Sequence, residues 1–275
     1  MRINNKHNLP EALFNVINKT RKPMENRISV TELIDAPLIR KLKLLHWDNL
    51  EEDASERLWA LLGQSVHYAL EKGTPPDALA EERLEVKIGD ITLSGQADLY
   101  QNGEISDWKT TSTYAFLLGM KESWTTQLNV YAYLYRSIGF EVTALKIHAI
   151  LRDWIRSKAL YDPDYPQIPF ITVDVPVWSD EKVKKYIDER IGLHFHTPPE
   201  KCTDEERWMR KTTYAVMKKG GKRAKRVLDS YEEAEAWMGE AKDLSIEVRK
   251  GEDIRCTGYC LVRNVCPYMK EGLPL

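Results

Sequence analysis

Gly95-Gln-Ala-Asp98-Leu-Tyr-Gln-Asn102-Gly103-Glu-Ile-Ser-Asp107-Trp108-Lys109 is the stretch that decides how this chain folds. Asn-Gly is the favoured pair for a two-residue type I′ connection, so the stretch reads as a β-hairpin. With Asn102 and Gly103 as the loop, Gln101 faces Glu104, and counting back sets Asp98 opposite Asp107. Facing Cβ atoms lie about 4.5–5.5 Å apart, and like charges so placed destabilise the pairing. Two carboxylates brought face to face call for something positive between them. Strand alternation adds Lys109 to the face of Asp107. Two acids and a lysine on one sheet face describe a site for a divalent cation and an anionic substrate.

Outward from the hairpin, periodicity and stop signals predict the other elements. Ser29-Val-Thr-Glu32 matches a capping box opening a helix to about His46. A helix over Ala54 to Lys72 carries an apolar stripe of Leu58, Leu61, Leu62, Val66, Ala69 and Leu70, with Gly73 as its stop. Strands are predicted over Arg83 to Ile88, Ile91 to Gln101 and Glu104 to Lys109, then a helix from Tyr114 to Ile138. A strand from Thr143 to Asp153, a proline-marked loop, a strand from Phe170 to Val177 and a helix from Asp180 to His194 follow. Lys211 to Arg226 reads as a basic hairpin around Gly220-Gly221, and Tyr231 to Lys242 as a helix before a cysteine-bearing tail. The fold class expected is α/β (α+β), a central mixed sheet flanked by helices. The organisation expected is a flexible segment over 1–28, a core over 29–198, and an extension over 199–275 packed on that core.

The bulk composition narrows the class without choosing a function. The chain has 275 residues, 43 % of them hydrophobic and 30 % charged, as in ordinary globular proteins. No apolar run approaches the roughly 20 residues that span a bilayer, and Met1 to Pro10 lacks the apolar stretch of a signal peptide. A cytoplasmic location and no membrane partner are expected. A net charge of −2 neither announces nor excludes a polyanionic partner, because local charge sets the field such a partner meets.

Gly63-Gln-Ser-Val-His67 on a helix, Gly95-Gln-Ala-Asp98 on a strand, Asp107-Trp108-Lys109-Thr110 on the next strand and Gln127-Leu-Asn-Val-Tyr131 on the following helix form an ordered set. The set resembles the motifs of the PD-(D/E)xK nuclease superfamily, in particular its RecB-like exonuclease branch. An isolated D-x-K would carry almost no information; four motifs in order, on the expected elements, carry much more. The resemblance implies a restriction-endonuclease-like core and a Mg²⁺- or Mn²⁺-dependent DNA exonuclease. It makes Asp98 and Asp107 metal ligands, adds His67 and the Trp108 carbonyl to the set, and gives Lys109 the attacking water or the phosphate charge. Gln127 and Tyr131, four apart on a helix, share a face and reach one phosphate or base. Each residue also has a plainer reading. His67 can be a hydrogen-bonded helix residue, Lys109 a structural ion-pair partner, and Tyr131, beside Tyr133 and Tyr135, a core side chain. Glu71, Glu82 and Glu85 are the other acids nearby, with a solvated surface as their plainer reading.

Cys256, Cys260 and Cys266 fall within eleven positions, with Pro267 after the last, and Cys202 lies upstream. The tail resembles the iron–sulfur arrangement of several RecB-like nucleases, which implies a [4Fe–4S] cluster, with a Cys₄ zinc site and plain buried thiols as rivals. In those relatives the distant cysteine precedes the nuclease core, whereas Cys202 follows it. Arg207, Trp208, Arg210, Lys211, Tyr214, Lys218, Lys219, Lys222, Arg223, Lys225 and Arg226 make the one dense basic region with interleaved aromatics, either a DNA arm or a solvated hairpin. The expected partner is DNA, single-stranded or at duplex ends, in recombination, repair, or a phage or CRISPR setting. A homo-oligomer and repair-protein partners stay open. The alternatives are a catalytically idle nucleic-acid-binding or assembly protein on the same fold, and a metal-binding structural protein built on the cysteines.

Overall fold

Asn102 and Gly103 both take positive φ, 49° and 82°, and close the two-residue turn that the dipeptide calls for. The computed structural model describes residues 1–117 and 119–270. The chain divides into two compact units, Met1–Pro199 and Glu200–Leu275. The first unit runs β1 (Arg2–Asn4), α1 (Glu11–Ile17), β2 (Arg27–Ser29), α2 (Val30–Leu33), α3 (Pro37–His46), β3 (Glu51–Asp53), α4 (Leu58–Lys72), β4 (Leu79–Ala80), β5 (Arg83–Ile88), β6 (Ile91–Gln96), β7 (Leu99–Gln101), β8 (Glu104–Thr111), α5 (Tyr114–Leu117), α6 (Glu122–Ser137), β9 (Ala144–Leu151), α7 (Arg156–Tyr161), β10 (Phe170–Asp174) and α8 (Asp180–Ile191).

The central sheet is mixed, in the order β10-β9-β8-β7-β4. Strands β8 and β9 are parallel; the other neighbours are antiparallel. A parallel pair needs a crossover, and α6 supplies it. That helix buries Leu128, Val130, Leu134 and Tyr135 in a core with Leu145 and Ile147 of β9 and Val183 and Ile187 of α8. The neighbouring sheet, in the order β2-β6-β5, comes close to α6 at Gly95 in β6, where a Cβ would lie 2.4 Å from Leu134 Cδ1 and 2.8 Å from Val30 Cγ2 of α2. The architecture is the helix-flanked mixed sheet of the restriction-endonuclease-like class.

Several elements end earlier than periodicity suggests, each for a local reason. The capping box forms, with Glu32 N–H donating to Ser29 Oγ at 3.2 Å and Ser29 N–H to Glu32 Oε2 at 3.1 Å. The expected helix to His46 is nevertheless two, because Ala36 is extended before Pro37, which opens α3 at its first turn. The expected strand over Ile91 to Gln101 is also two, β6 pairing with β2 and β5 and β7 joining the central sheet. Helix Tyr114 to Ile138 is interrupted by Gly119 at φ 99° and an extended Lys121. The segment 1–28, expected to be flexible, carries β1, α1 and most of β2. Ile3 and Ile17 are buried with Ala54, and β1 pairs in parallel with β3.

The second unit contains α9 (Asp204–Arg207), β11 (Met209–Arg210), β12 (Thr213–Lys218), β13 (Ala224–Leu228), α10 (Tyr231–Met238), β14 (Leu244–Arg249), β15 (Glu252–Asp253), α11 (Ile254–Gly258) and α12 (Pro267–Lys270). The basic hairpin forms as β12 and β13. Strand β14, which no pattern in the sequence announces, pairs on the other side of β12. Helix α10 lies on this sheet, Tyr231 meeting Tyr214 edge to face at 5.8 Å.

Candidate active site

Asp98 sits at a break in the ladder, and the break is what frees it. The β7–β8 register, Leu99 to Ser106, continues to Asp98 opposite Asp107. Instead of pairing through its backbone there, Asp98 uses its side chain: Oδ2 accepts the Trp108 N–H at 2.6 Å. Its other oxygen, Oδ1, lies 3.2 Å from Nδ1 of His67 on α4. The same count extends one strand further. Leu79 pairs with Tyr100 and Ala80 with Leu99, so Glu81 follows opposite Asp98, and Glu81 N–H donates to Ala97 O at 3.2 Å. Three acids therefore stand side by side where β4, β7 and β8 adjoin.

Glu81 is the site residue that sequence reasoning misses, since it points to Glu71, Glu82 and Glu85 instead. Glu82 and Glu85 are exposed, and Glu85 pairs with Arg27. Glu81 escapes strand alternation because its φ is 54°, a left-handed conformation uncommon for a residue with a Cβ. Its Oε1 lies 3.7 Å from His67 Nδ1, and Gln96 Nε2 donates to Oε2 at 2.6 Å. Among the described residues, His67, Glu81 and Asp98 form the single set whose ligand atoms lie mutually within 4.8 Å. The signal that could have found Glu81 is the hairpin count itself, carried across to the preceding strand.

Asp107 is 3 % exposed and stands just outside that set. Burial, reinforced by the Asp98 charge and opposed by Lys109, raises its carboxyl to about 6. Its Oδ2 lies 2.6 Å from Lys109 Nζ. Lys109 Nζ donates to Gln127 Oε1 at 3.2 Å, and Gln127 Nε2 donates to Tyr131 Oη at 3.1 Å. Asp107, Lys109, Gln127 and Tyr131 thus form one polar chain from β8 to α6. Burial raises the Tyr131 hydroxyl above its usual value, which keeps it protonated. His67 is raised above its ordinary value by its hydrogen bond to Asp98, and Glu81 by burial and then by Asp98. The Asp98 charge contributes to both upward shifts, as expected where acids crowd round one point. The donors are carboxylate oxygens and one imidazole nitrogen, which suit Mg²⁺ or, with the nitrogen, Mn²⁺. The Trp108 side chain lies on the other sheet face, its ring 4.7 Å from that of His148.

All four cysteines are in the second unit, Cys256 and Cys266 buried, Cys202 and Cys260 half-buried. The Cys202 thiol is pushed up to about 12 by burial, with Glu206, Cys260 and Cys256 adding to it. Cys256 is pushed up to about 11 by burial, Asp253, Cys260 and Cys266. Arg207 donates to Cys202 O and pairs with Asp253, and Arg255 donates to Glu206 O at 3.2 Å, so the segment that carries Cys202 meets the start of the tail. Two members of the basic region are corrected. Arg207 is buried and paired with Asp204 and with Asp253 Oδ1 at 3.0 Å, so it holds the unit together instead of facing solvent. Tyr214 is half-buried against Tyr231. Lys218, Lys219, Lys222, Arg223, Lys225 and Arg226 remain exposed along the hairpin.

No curated protein matches the chain. Among solved structures, the crystal structure of SSO0001 is similar at 19 % identity and a TM-score of 0.45, covering 66 % of this chain and 82 % of that one, a likeness too distant to carry an argument. The sequence model of the PD-(D/E)XK nuclease superfamily matches residues 7–267, which spans both the Asp98–Asp107–Lys109 hairpin and the cysteine tail. With a match over nearly the full length and this fold beneath it, the chain belongs to the PD-(D/E)XK nuclease superfamily.

Proposed function

We propose that the protein is a DNA exonuclease that depends on Mg²⁺ or Mn²⁺ held by His67, Glu81, Asp98 and Asp107. The observation that carries the reading is Lys109, whose ammonium is fixed between Asp107 and Gln127 beside the acidic set. When bound, a divalent ion supplies charge neutralisation at the phosphate and lowers the pKa of the attacking water. Lys109 places a point charge where negative charge builds up on the phosphoryl oxygens. Gln127 holds that ammonium in place, and its second hydrogen bond keeps Tyr131 Oη, still protonated, as a donor on the same face of α6. Asp107, nearly out of water, keeps its carboxylate from being solvated away from the reacting groups. Action on ends and on DNA is supported by the likeness of the His67 and Gln127/Tyr131 motifs to the RecB-like branch.

Asp107→Ala and Lys109→Ala are expected to lower cleavage of end-labelled DNA by at least about 10²-fold, the scale of removing one electrostatic stabiliser of the transition state. DNA binding by anisotropy should stay near wild type. Metal-dependent cleavage that persists in the double variant would sink the mechanism. Degradation of linear DNA with covalently closed DNA left intact separates action on ends from internal cutting.

For the second unit we propose a [4Fe–4S] cluster on Cys202, Cys256, Cys260 and Cys266, tying the start of the unit to its tail. The observation in favour is that Arg207 donates to Cys202 O and pairs with Asp253, which brings the Cys202 segment beside the helix that carries Cys256. Brown protein absorbing near 400 nm supports this; colourless protein with stoichiometric zinc overturns it.

A further inference from the structure

The N-terminal half of α4 carries a large ring that the core does not use. Trp59 is 68 % exposed, and the Arg152 guanidinium lies over it, 4.3 Å from the ring centroid. Eight residues on, about 12 Å at 1.5 Å per residue, the same helix presents His67 to Asp98. Gly63 lies halfway between them. The three follow an i, i+4 row and so share one stripe of the helix. Glycine in a helix interior costs about 1 kcal/mol relative to alanine, and packing does not explain it here. A Cβ at Gly63 would meet nothing within 4 Å. The stripe is therefore a bare floor between an exposed ring and the candidate site.

The same pairing of ring and cation recurs where β8 ends. Arg152 N–H donates to Thr111 O at 3.0 Å, which sets the chain leaving β9 beside the end of β8. Asp153 Oδ1 accepts the Thr113 N–H at 2.6 Å and fixes the turn. Tyr114, five residues beyond Lys109, is 59 % exposed, and Lys158 Nζ lies 5.9 Å over its ring. Exposed rings alternating with cations fit one ligand chemistry well: bases that can stack, joined by phosphates. In a duplex the base faces are already covered by their neighbours, so these rings would find no partner along its length.

We propose that this margin is a stacking track for an unpaired DNA strand, with bases on Trp59 and Tyr114 and phosphates against Arg152 and Lys158, leading across Gly63 to Lys109. Its destination rests on the nuclease reading above; its binding does not. The test is fluorescence anisotropy with labelled oligothymidylate and a blunt duplex of equal length, in Ca²⁺. Trp59→Ala and Tyr114→Ala are each expected to weaken oligothymidylate binding about 5- to 150-fold, the range for losing one stacked base. Duplex binding should be unchanged, and Trp59→Phe should keep most single-strand affinity while losing part of the tryptophan quenching that stacking produces. Both side chains are more than half exposed, so thermal melts should match wild type. Unchanged oligothymidylate affinity in both variants, or an equal loss on duplex, overturns the track. If wild type binds oligothymidylate through Trp59 yet cleaves no DNA, the nuclease reading falls and the track stands. If wild type cleaves and both variants bind oligothymidylate as tightly as it does, the track alone is removed.

Discussion

Asp107 holds its charge where water barely reaches it, and the cost is measurable. Its carboxyl is raised from 3.8 to about 6, so the folded chain grips this proton more tightly than the unfolded one. Stability from this group therefore falls as pH rises from about 4 to about 6, and above that the full penalty stands. At about 1.4 kcal/mol per unit, the ceiling is roughly 3 kcal/mol. Asp107→Asn removes the charge at nearly constant volume. At pH 8 without metal it is expected to raise Tm, by about 2–4 °C for each kcal/mol recovered, while abolishing cleavage. The gain should shrink as pH falls toward 4, where wild type is protonated. A calorimetric Tm at pH 8 no higher than wild type would show that the folded site does not disfavour the Asp107 charge. Asp107 and Lys109 were legible because the Asn-Gly turn fixes the count across the strands. Glu81 was not, because a residue at φ 54° leaves the alternation on which such counting rests.

Among the helices of ten or more residues, α6 is the most buried and α4 the least. Helix α6 buries eight of its residues, whereas α4, which brings His67 to the site, has none fully buried. The point that seats α6 is Gly95, with Leu134 Cδ1 2.4 Å and Tyr131 Cδ1 3.0 Å from where a Cβ would be. Gly95→Ala is expected to displace Leu134 and Tyr131 and to shift α6, with Gln127 moving with it. Overpacking of this kind costs about 1–3 kcal/mol. The expected variant melts lower and loses cleavage at temperatures where circular dichroism still shows it folded; full activity there would mean that Leu134 simply changes rotamer. The hairpin, the helix carrying His67 and a long helix between the hairpin and the next strand were readable from pattern and turn chemistry. The breaks were less so. Asp98 interrupts a continuous apolar and polar alternation because its carboxylate takes a backbone N–H from Trp108, an exchange that no periodicity records.

Across the whole molecule, charge and chemistry lie in different units. The candidate cleavage site draws on residues from His67 to Tyr131 in the first unit, and the exposed basic hairpin belongs to the second. Replacing Lys218, Lys219, Lys222 and Arg223 with glutamine is expected to weaken DNA binding. The salt dependence should flatten by about 0.7–0.9 for each phosphate that the hairpin no longer neutralises. Sequence preference should not change, and an unaltered salt slope would show the hairpin to be merely solvated. The hairpin itself was plain in the sequence. The order within 1–28 was not, since Ile3 and Ile17 are sparse apolar residues whose partners lie far along the chain. The meeting of Cys202 with the tail was equally hidden, because only the folded backbone brings those segments together. A boundary at residues 199 and 200 that leaves each polar atom of the acidic set on one side has an evolutionary corollary. The exposed hairpin can be shortened, recharged or exchanged between lineages without altering any residue of the acidic set, so the two are free to diverge at separate rates.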